Sequence, residues 1–251
     1  MILVVAGTLD GRELAAYLKG KGIAVTVSVT SSYGGQLAAQ SVDEVIVDKM
    51  TRDDFIKFFQ DRKISAVVDA SHPYAVGASQ NILQAADAYG IRCIRYERKQ
   101  TQLPFYENLY LVKDAAEAAQ KAGELGETIF LTTGSRTLPV FKQSEALHNK
   151  RIIVRILPDA DSFNICTELG ILPKDVVAMQ GPFSVQMNKV MFQDYQAQVV
   201  VTKDGGRTGG VDSKLEAAMQ LNLPVVMITR PQLAYKNVTE DFEKIYEFLR
   251  G

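Results

Sequence analysis

Short runs of aliphatic and β-branched residues alternate along the chain with stretches whose apolar positions recur every three or four residues. The runs have the length and composition of strands buried on both faces, and the stretches carry the stripe of amphipathic helices. Up to residue 98 the pattern predicts strands over 2–6, 23–29, 44–47, 65–69 and 91–96, separated by helices near 11–20, 35–40, 51–61 and 77–89. A polar stretch, Lys99-Gln100-Thr101-Gln102-Leu103-Pro104, then interrupts the periodicity and reads as a hinge. The pattern resumes with strands over 127–132, 151–156, 175–179, 197–202 and 224–229, and helices near 113–122, 137–147, 161–169, 184–194, 212–221 and 239–249. Alternation of this kind builds parallel sheets with helices on both faces. The fold expected is α/β, two Rossmann-like doubly wound parallel-sheet domains over residues 1–100 and 101–251, with the active site in the cleft between them.

Composition narrows the function. Hydrophobic residues make up 47% of the chain, enough for large cores, and 28 basic residues nearly balance 29 acidic ones. With a net charge of −1 the whole molecule has no electrostatic reason to seek nucleic acid or a membrane surface, so an anionic ligand must be met by local clusters. No apolar run reaches roughly 18 residues, the length a spanning helix needs. The chain opens directly on Ile2-Leu3-Val4-Val5 without a charged leader, and a cytoplasmic location is expected. Cys93 and Cys166 lack metal-ligand spacing and sit in apolar surroundings; neither a disulfide nor a metal site is expected. Oligomeric state leaves no mark on the sequence.

Open α/β sheets bind ligands at the loops beyond the carboxyl ends of their strands. The first such loop reads Gly7-Thr8-Leu9-Asp10-Gly11-Arg12: its glycines let a phosphate approach backbone N–H groups at a helix N-terminus, and Thr8 and Arg12 add a hydroxyl and a guanidinium. Gly7 and Gly11 have no glycine between them, so the full dinucleotide fingerprint is missing, and a generic turn explains the loop as well. After the second strand comes Thr30-Ser31-Ser32-Tyr33-Gly34. No carboxylate stands there to repel a ribose 2′-phosphate, which favours NADP(H) over NAD(H), although a plain Ser/Thr turn capping the next helix accounts for the same residues. After the fourth strand, Ser71-His72-Pro73-Tyr74 places one of only two histidines beside a flat aromatic ring at a strand-to-helix turn.

Three loops of the second half repeat the theme. Thr132-Thr133-Gly134-Ser135-Arg136 joins hydroxyls, a glycine and a cation; Gln180-Gly181-Pro182-Phe183-Ser184 fixes a turn and offers a cap; Lys203-Asp204-Gly205-Gly206-Arg207 brings two cations into a glycine-rich span. Each alone reads equally well as a structural turn, but so many polar glycine loops on sheet edges exceed what turns require. His148 falls at a helix C-terminus, where a cation suits the helix dipole, and reads as structural.

Taken in order, the segments 7–12, 32–35, 69–75, 131–136, 178–184 and 201–206 closely resemble the precorrin-6A reductase family of cobalamin biosynthesis, across nearly the whole chain. Asp10 stands where that family more often has Glu, and Gly205 where many members have Ser. The resemblance implies a reductase that uses NADPH to reduce one double bond of a ring-contracted tetrapyrrole, with or without cobalt, to the 6B form. It places NADPH against Gly7, Thr8, Asp10, Gly11 and Arg12, against Thr30, Ser31, Ser32, Tyr33 and Gly34, against Ser71, His72 and Pro73, and against Thr133, Gly134 and Ser135, with the nicotinamide ending near 71–74 and 132–135. The tetrapyrrole, a polycarboxylate, is expected at Tyr74, Arg136, Gln180, Gly181, Pro182, Lys203, Asp204 and Arg207. His72 and Asp204 are the candidate proton donors. A short-chain reductase would need Tyr-x-x-x-Lys on a later helix, and Tyr17 with Lys21 lies in the first helix instead. A non-catalytic dinucleotide sensor would fit the first half alone.

Overall fold

In a computed structural model the protein is described over residues 1–98, 103–205 and 210–251. It forms two compact units, 1–99 with 231–251, and 100–230. The first runs β1 (Ile2–Ala6), α1 (Leu9–Gly20), β2 (Val25–Val29), α2 (Ser32–Ala38), β3 (Glu44–Val47), α3 (Arg52–Arg62), β4 (Ala66–Ala70), α4 (Val76–Tyr89) and β5 (Arg92–Tyr96). The second runs β6 (Leu109–Val112), α5 (Ala115–Leu125), β7 (Thr128–Leu131), α6 (Leu138–Gln143), β8 (Arg151–Ile156), α7 (Ala160–Glu168), β9 (Val176–Ala178), α8 (Val185–Asp194), β10 (Val199–Lys203), α9 (Val211–Gln220) and β11 (Val225–Ile228). The chain then returns to the first unit with β12 (Val238–Thr239) and α10 (Phe242–Arg250).

Both sheets are parallel throughout the described residues, in the orders β12-β5-β4-β1-β2-β3 and β6-β11-β10-β7-β8-β9. The central strands explain why: β1 and β4 are buried at every position, so helices must cover both faces. Leu14, Leu18 and Ile245 close one face of the first sheet, and Phe55, Phe59 and Ile82 the other. In the second unit Phe192, Val211 and Leu215 pack on Phe130, Ile153 and Val200. Helix ends follow local chemistry. Thr51 and Asp54 form a reciprocal capping box on α3, and α4 stops at Gly90, whose φ of 76° suits a residue without Cβ.

Several expected elements differ. Residues 231–251 were expected in the second domain but build β12 and α10 on the first unit. Strand β12 is two residues long, too short to register as an apolar run, and the expected helix over 239–249 begins only at Phe242 after the Asp241 cap. Strand β6 was not foreseen; it lies at a sheet edge with Leu111 54% exposed, so it lacks the fully apolar signature. The helix expected over 137–147 is broken at Ser144, whose ψ of 124° leaves helical space. Helix α2 begins earlier than 35 because Ser31 caps it. Of the expected hinge, 99–102 lies outside the described residues, as do Gly206 and Arg207.

Candidate functional site

Each sheet reverses its direction of winding once, and there the loops beyond two neighbouring strands part to opposite faces. In the first unit this switch lies between β1 and β4, in the second between β7 and β10. Such switch points form the ligand crevices of open parallel sheets. Strands β4, β1 and β2 are consecutive neighbours, with Ala6 opposite Ala70 at the carboxyl edge. The three candidate loops 7–12, 30–34 and 71–74 are therefore gathered on one edge. Their counterparts 132–136 and 203–204 follow the adjacent strands β7 and β10, whereas 180–182 follows the edge strand β9.

On the first loop, Thr8 caps α1 by accepting the Gly11 N–H at 3.3 Å, and Gly11 is buried where a Cβ would lie 2.9 Å from the Ala6 Cβ and 3.0 Å from the Ala70 carbonyl. Gly11 thus serves close helix-to-sheet packing. Gly7 is exposed, and a Cβ there would meet nothing within 4 Å, which leaves room at the helix N-terminus. Asp10 pairs with Arg98 at 2.9 Å, so its carboxylate is offset rather than turned as a bare charge toward that helix end. On the second loop Ser31 caps α2 through the Gly34 N–H at 3.1 Å, while Thr30, Ser32 and Tyr33 are exposed.

The His72 turn stands on a buried polar network. Asp69, fully buried, accepts the Ser71 N–H at 2.9 Å, the Arg95 guanidinium at 2.9 Å and the Ser79 hydroxyl at 2.6 Å, and the Tyr235 hydroxyl also donates to it. Arg95 lies opposite Asp69 in the strand register and also donates to the Ser71 hydroxyl at 3.1 Å. Such complete satisfaction is what a buried ion pair requires. Burial first, then the Asp69 charge, hold the Tyr235 phenol far above its ordinary range, so it remains a donor. Above this base His72 is exposed, with its Nδ1 accepting the Tyr74 N–H at 3.3 Å and its carbonyl the Ala75 N–H at 2.8 Å. A neutral ring that accepts at Nδ1 carries its proton on Nε2 and is a donor there.

In the second unit Gly134 takes φ 78°, a conformation that favours glycine, and the buried Ser135 hydroxyl lies 3.0 Å from that of Ser162. Thr133 gives its carbonyl to the Lys203 ammonium at 3.0 Å. Asp204 binds Arg230 at 3.1 Å, whose side chain is 1% exposed. Arg136 is exposed, as are Gln180, Gly181 and Pro182 on the β9 loop, whose Gly181-Pro182 bond is cis.

Cations collect near this edge. Arg155, at the end of β8, is buried; its guanidinium donates to the neutral Asn188 side chain at 2.8 Å and lies 4.5 Å from the centre of the Phe183 ring. Burial lowers its pKa, yet a guanidinium stays charged at neutral pH. Lys214, in the first turns of α9, is pushed down to about 7 by burial and then by Arg155 and Lys203. Lys203 is lowered to about 8, by burial first and then by Arg136. Like charges gathered in this way favour an anion.

Arg95, Tyr235, Arg155 and Lys214 were not singled out in the sequence. The signal for two of them was present: a charge inside an apolar strand run, as in Arg92-Cys93-Ile94-Arg95-Tyr96 and Arg151-Ile152-Ile153-Val154-Arg155-Ile156, demands a buried partner or a ligand. Tyr235 had none, because only the chain's return brings it to Asp69.

Two all-parallel sheets, each with glycine-bearing loops at its switch point, define a double Rossmann-like α/β protein. The chain belongs to the family described as Precorrin-6x reductase CbiJ/CobK, which it matches over residues 1–250. Among curated relatives, a cobalt-precorrin-6A reductase of Priestia megaterium is 38% identical over 250 residues, covering 99% of this chain and 98% of its own length. One of Salmonella typhimurium is 33% identical, covering 92% of this chain and 87% of its own length. A solved CobK precorrin-6A reductase shares the fold at a TM-score of 0.81 with 24% identity, over 99% of this chain and 95% of that one. The protein is accordingly an oxidoreductase of cobalamin biosynthesis. Among the described residues no helix is long and apolar enough to cross a membrane.

Proposed function

We propose that the protein reduces one double bond of precorrin-6A, in its cobalt form or metal-free, with NADPH, and that the first unit holds the cofactor while the second holds the tetrapyrrole. The observation that carries this reading is the contrast in charge. The loops after β1, β2 and β4 offer an open helix N-terminus, the half-buried Arg12 and no uncompensated carboxylate, which suits a phosphorylated dinucleotide. The edge of the second sheet carries Arg136, Arg155, Lys203 and Lys214, which suits the acetate and propionate groups of a polycarboxylate macrocycle.

Bound NADPH supplies the hydride. The protein's share is placement and the exclusion of water. Ser71, His72 and Pro73 contribute a fixed turn, in which the Tyr74 N–H holds the His72 ring at Nδ1. Thr133, Gly134 and Ser135 shape the corresponding turn of the second unit; the Ser135 hydroxyl, already beside Ser162, acts through that turn's shape. Asp204 holds Arg230 and serves to fix the loop rather than to deliver a proton. The Tyr74 N–H engages Nδ1 of His72 and fixes the ring in the turn, so we assign His72 a positioning role.

The test mixes purified protein with NADPH and enzymatically prepared cobalt-precorrin-6A or precorrin-6A, the cobalt form first because the relative at 38% identity bears that name. Loss of reduced-nicotinamide absorbance together with a spectral change of the macrocycle is expected, faster with NADPH than with NADH. Absence of both changes with either substrate would refute the reading.

A further inference from the structure

We propose that Tyr235 is a positioning residue for the reduction: carried back to the first unit by the chain's return, its hydroxyl closes the Asp69 network and thereby sets the Ser71-His72-Pro73 turn. The inference rests on the reading that this turn receives NADPH.

The geometry ties one residue from far along the sequence to the turn through two links. Tyr235 donates to the same Asp69 oxygen, Oδ2, that accepts Ser79, and its ring lies 5.8 Å from the Arg95 guanidinium. The other oxygen, Oδ1, holds the Ser71 N–H and the Arg95 guanidinium. Asp69 can fix Ser71 only while its carboxylate is itself held at both oxygens. The segment that delivers Tyr235 is pinned on β5: the Arg95 N–H donates to the Asn237 carbonyl at 2.9 Å, and the Asn237 side chain to the Cys93 carbonyl at 3.3 Å. The turn proposed to receive the cofactor and the segment that brings the tyrosine thus share one buried carboxylate. Losing the hydroxyl frees Oδ2 to rotate toward Ser79 alone, and the strain falls on Ser71, whose amide and hydroxyl both depend on the network.

Tyr235→Phe keeps the ring and removes the donor. In the full-length enzyme the expected result is a rise of about tenfold in the KM for NADPH, the equivalent of one buried hydrogen bond, with the KM for the tetrapyrrole unchanged within about twofold. Tyr106→Phe is the control: its hydroxyl donates to the Leu223 carbonyl at 2.8 Å in the second unit, so it loses a comparable bond and should leave the KM for NADPH unmoved. Should Tyr235→Phe fail to fold, Ser79→Ala removes the other donor to Oδ2 and is expected to act in the same direction. If Tyr235→Phe only lowers thermal stability while His72→Ala raises the KM for NADPH, the inference falls and the cofactor reading stands. If His72→Ala and Ser71→Ala also leave that KM unmoved, both fall.

Discussion

At the carboxyl edge of the first sheet the buried guanidinium of Arg95 meets the carboxylate of Asp69 at 2.9 Å; near the same edge of the second, the buried guanidinium of Arg155 meets the neutral oxygen of Asn188 at 2.8 Å. The first arrangement is complete, with charge, hydroxyls and a backbone N–H all matched. Its product is a turn whose Ser71 amide and hydroxyl are both held from below. The second gathers Arg155, Lys203 and Lys214, and burial first, then neighbouring cations, lowers the two ammonium groups to about 8 and about 7. The two edges thus differ in kind: one buried guanidinium is matched by a carboxylate, the other by a neutral amide beside two lysines.

The largest effect should separate these two at once. Asp69→Ala strands the Arg95 charge in the core, and removing one partner of a buried pair costs roughly 3–5 kcal/mol. Arg155→Met leaves no charge behind, only the buried Asn188 oxygen without this donor, and should cost about 1–3 kcal/mol. Hydrogen exchange resolved by unit reads each loss where it occurs. A cost for Arg155→Met as large as that for Asp69→Ala would erase the distinction.

Next comes pH. The ordinary lysine value is 10.5 and Lys214 sits at about 7, so between those values the unfolded chain binds more protons than the folded one. Stability must then rise with pH across that window, and Lys214→Met should flatten the rise in the second unit while leaving the first unchanged. A polycarboxylate needs the ammonium groups protonated, so the KM for the tetrapyrrole should climb as the pH passes from about 7 to about 8 and above. An equal climb in the KM for NADPH would show that the cationic cluster serves the cofactor instead.

A smaller effect tests the packing role of glycine at the first switch point. Gly11→Ala forces a Cβ to within 2.9 Å of the Ala6 side chain and 3.0 Å of the Ala70 carbonyl, and overpacking of this kind costs about 1–3 kcal/mol. Gly7→Ala meets no atom within 4 Å and should leave stability nearly unchanged while weakening NADPH binding. The reverse pattern would exchange the roles of the two glycines.

The central strands were legible because double-sided burial demands continuous apolar runs, and β1, β4, β7 and β10 stand where the sequence placed them to within two or three residues. The loops that follow them were legible for the same reason: a parallel sheet leaves them no other edge. What escaped was non-local. Strand β12 has only Val238 and Thr239, and its pairing with Arg95 and Tyr96 depends on a chain that leaves the first unit and comes back, which no window of sequence reveals. Tyr235 escaped with it. Arg155 was missed differently, since its place at the end of an apolar run was visible but its neighbours Asn188 and Phe183 lie on the α8 segment.

The smallest effect concerns a choice the sequence left open, whether the hydroxyls after β2 read a 2′-phosphate or merely cap α2. The Ser31 hydroxyl accepts the Gly34 N–H at 3.1 Å, the geometry of a cap. Ser184 does the same for Met187 at the head of α8, also at 3.1 Å, on a loop assigned to a different ligand. If capping is the whole role of Ser31, Ser31→Ala and Ser184→Ala should each cost about 1 kcal/mol, and neither should alter the preference for NADPH over NADH by more than about threefold. Thr30 and Ser32, exposed beside it, would then carry the discrimination, and the double variant Thr30→Ala/Ser32→Ala should reduce it several-fold more than Ser31→Ala does. A collapse of cofactor preference in Ser31→Ala alone would mean that its hydroxyl leaves the cap to meet the phosphate, and the two caps, alike in distance, would differ in function.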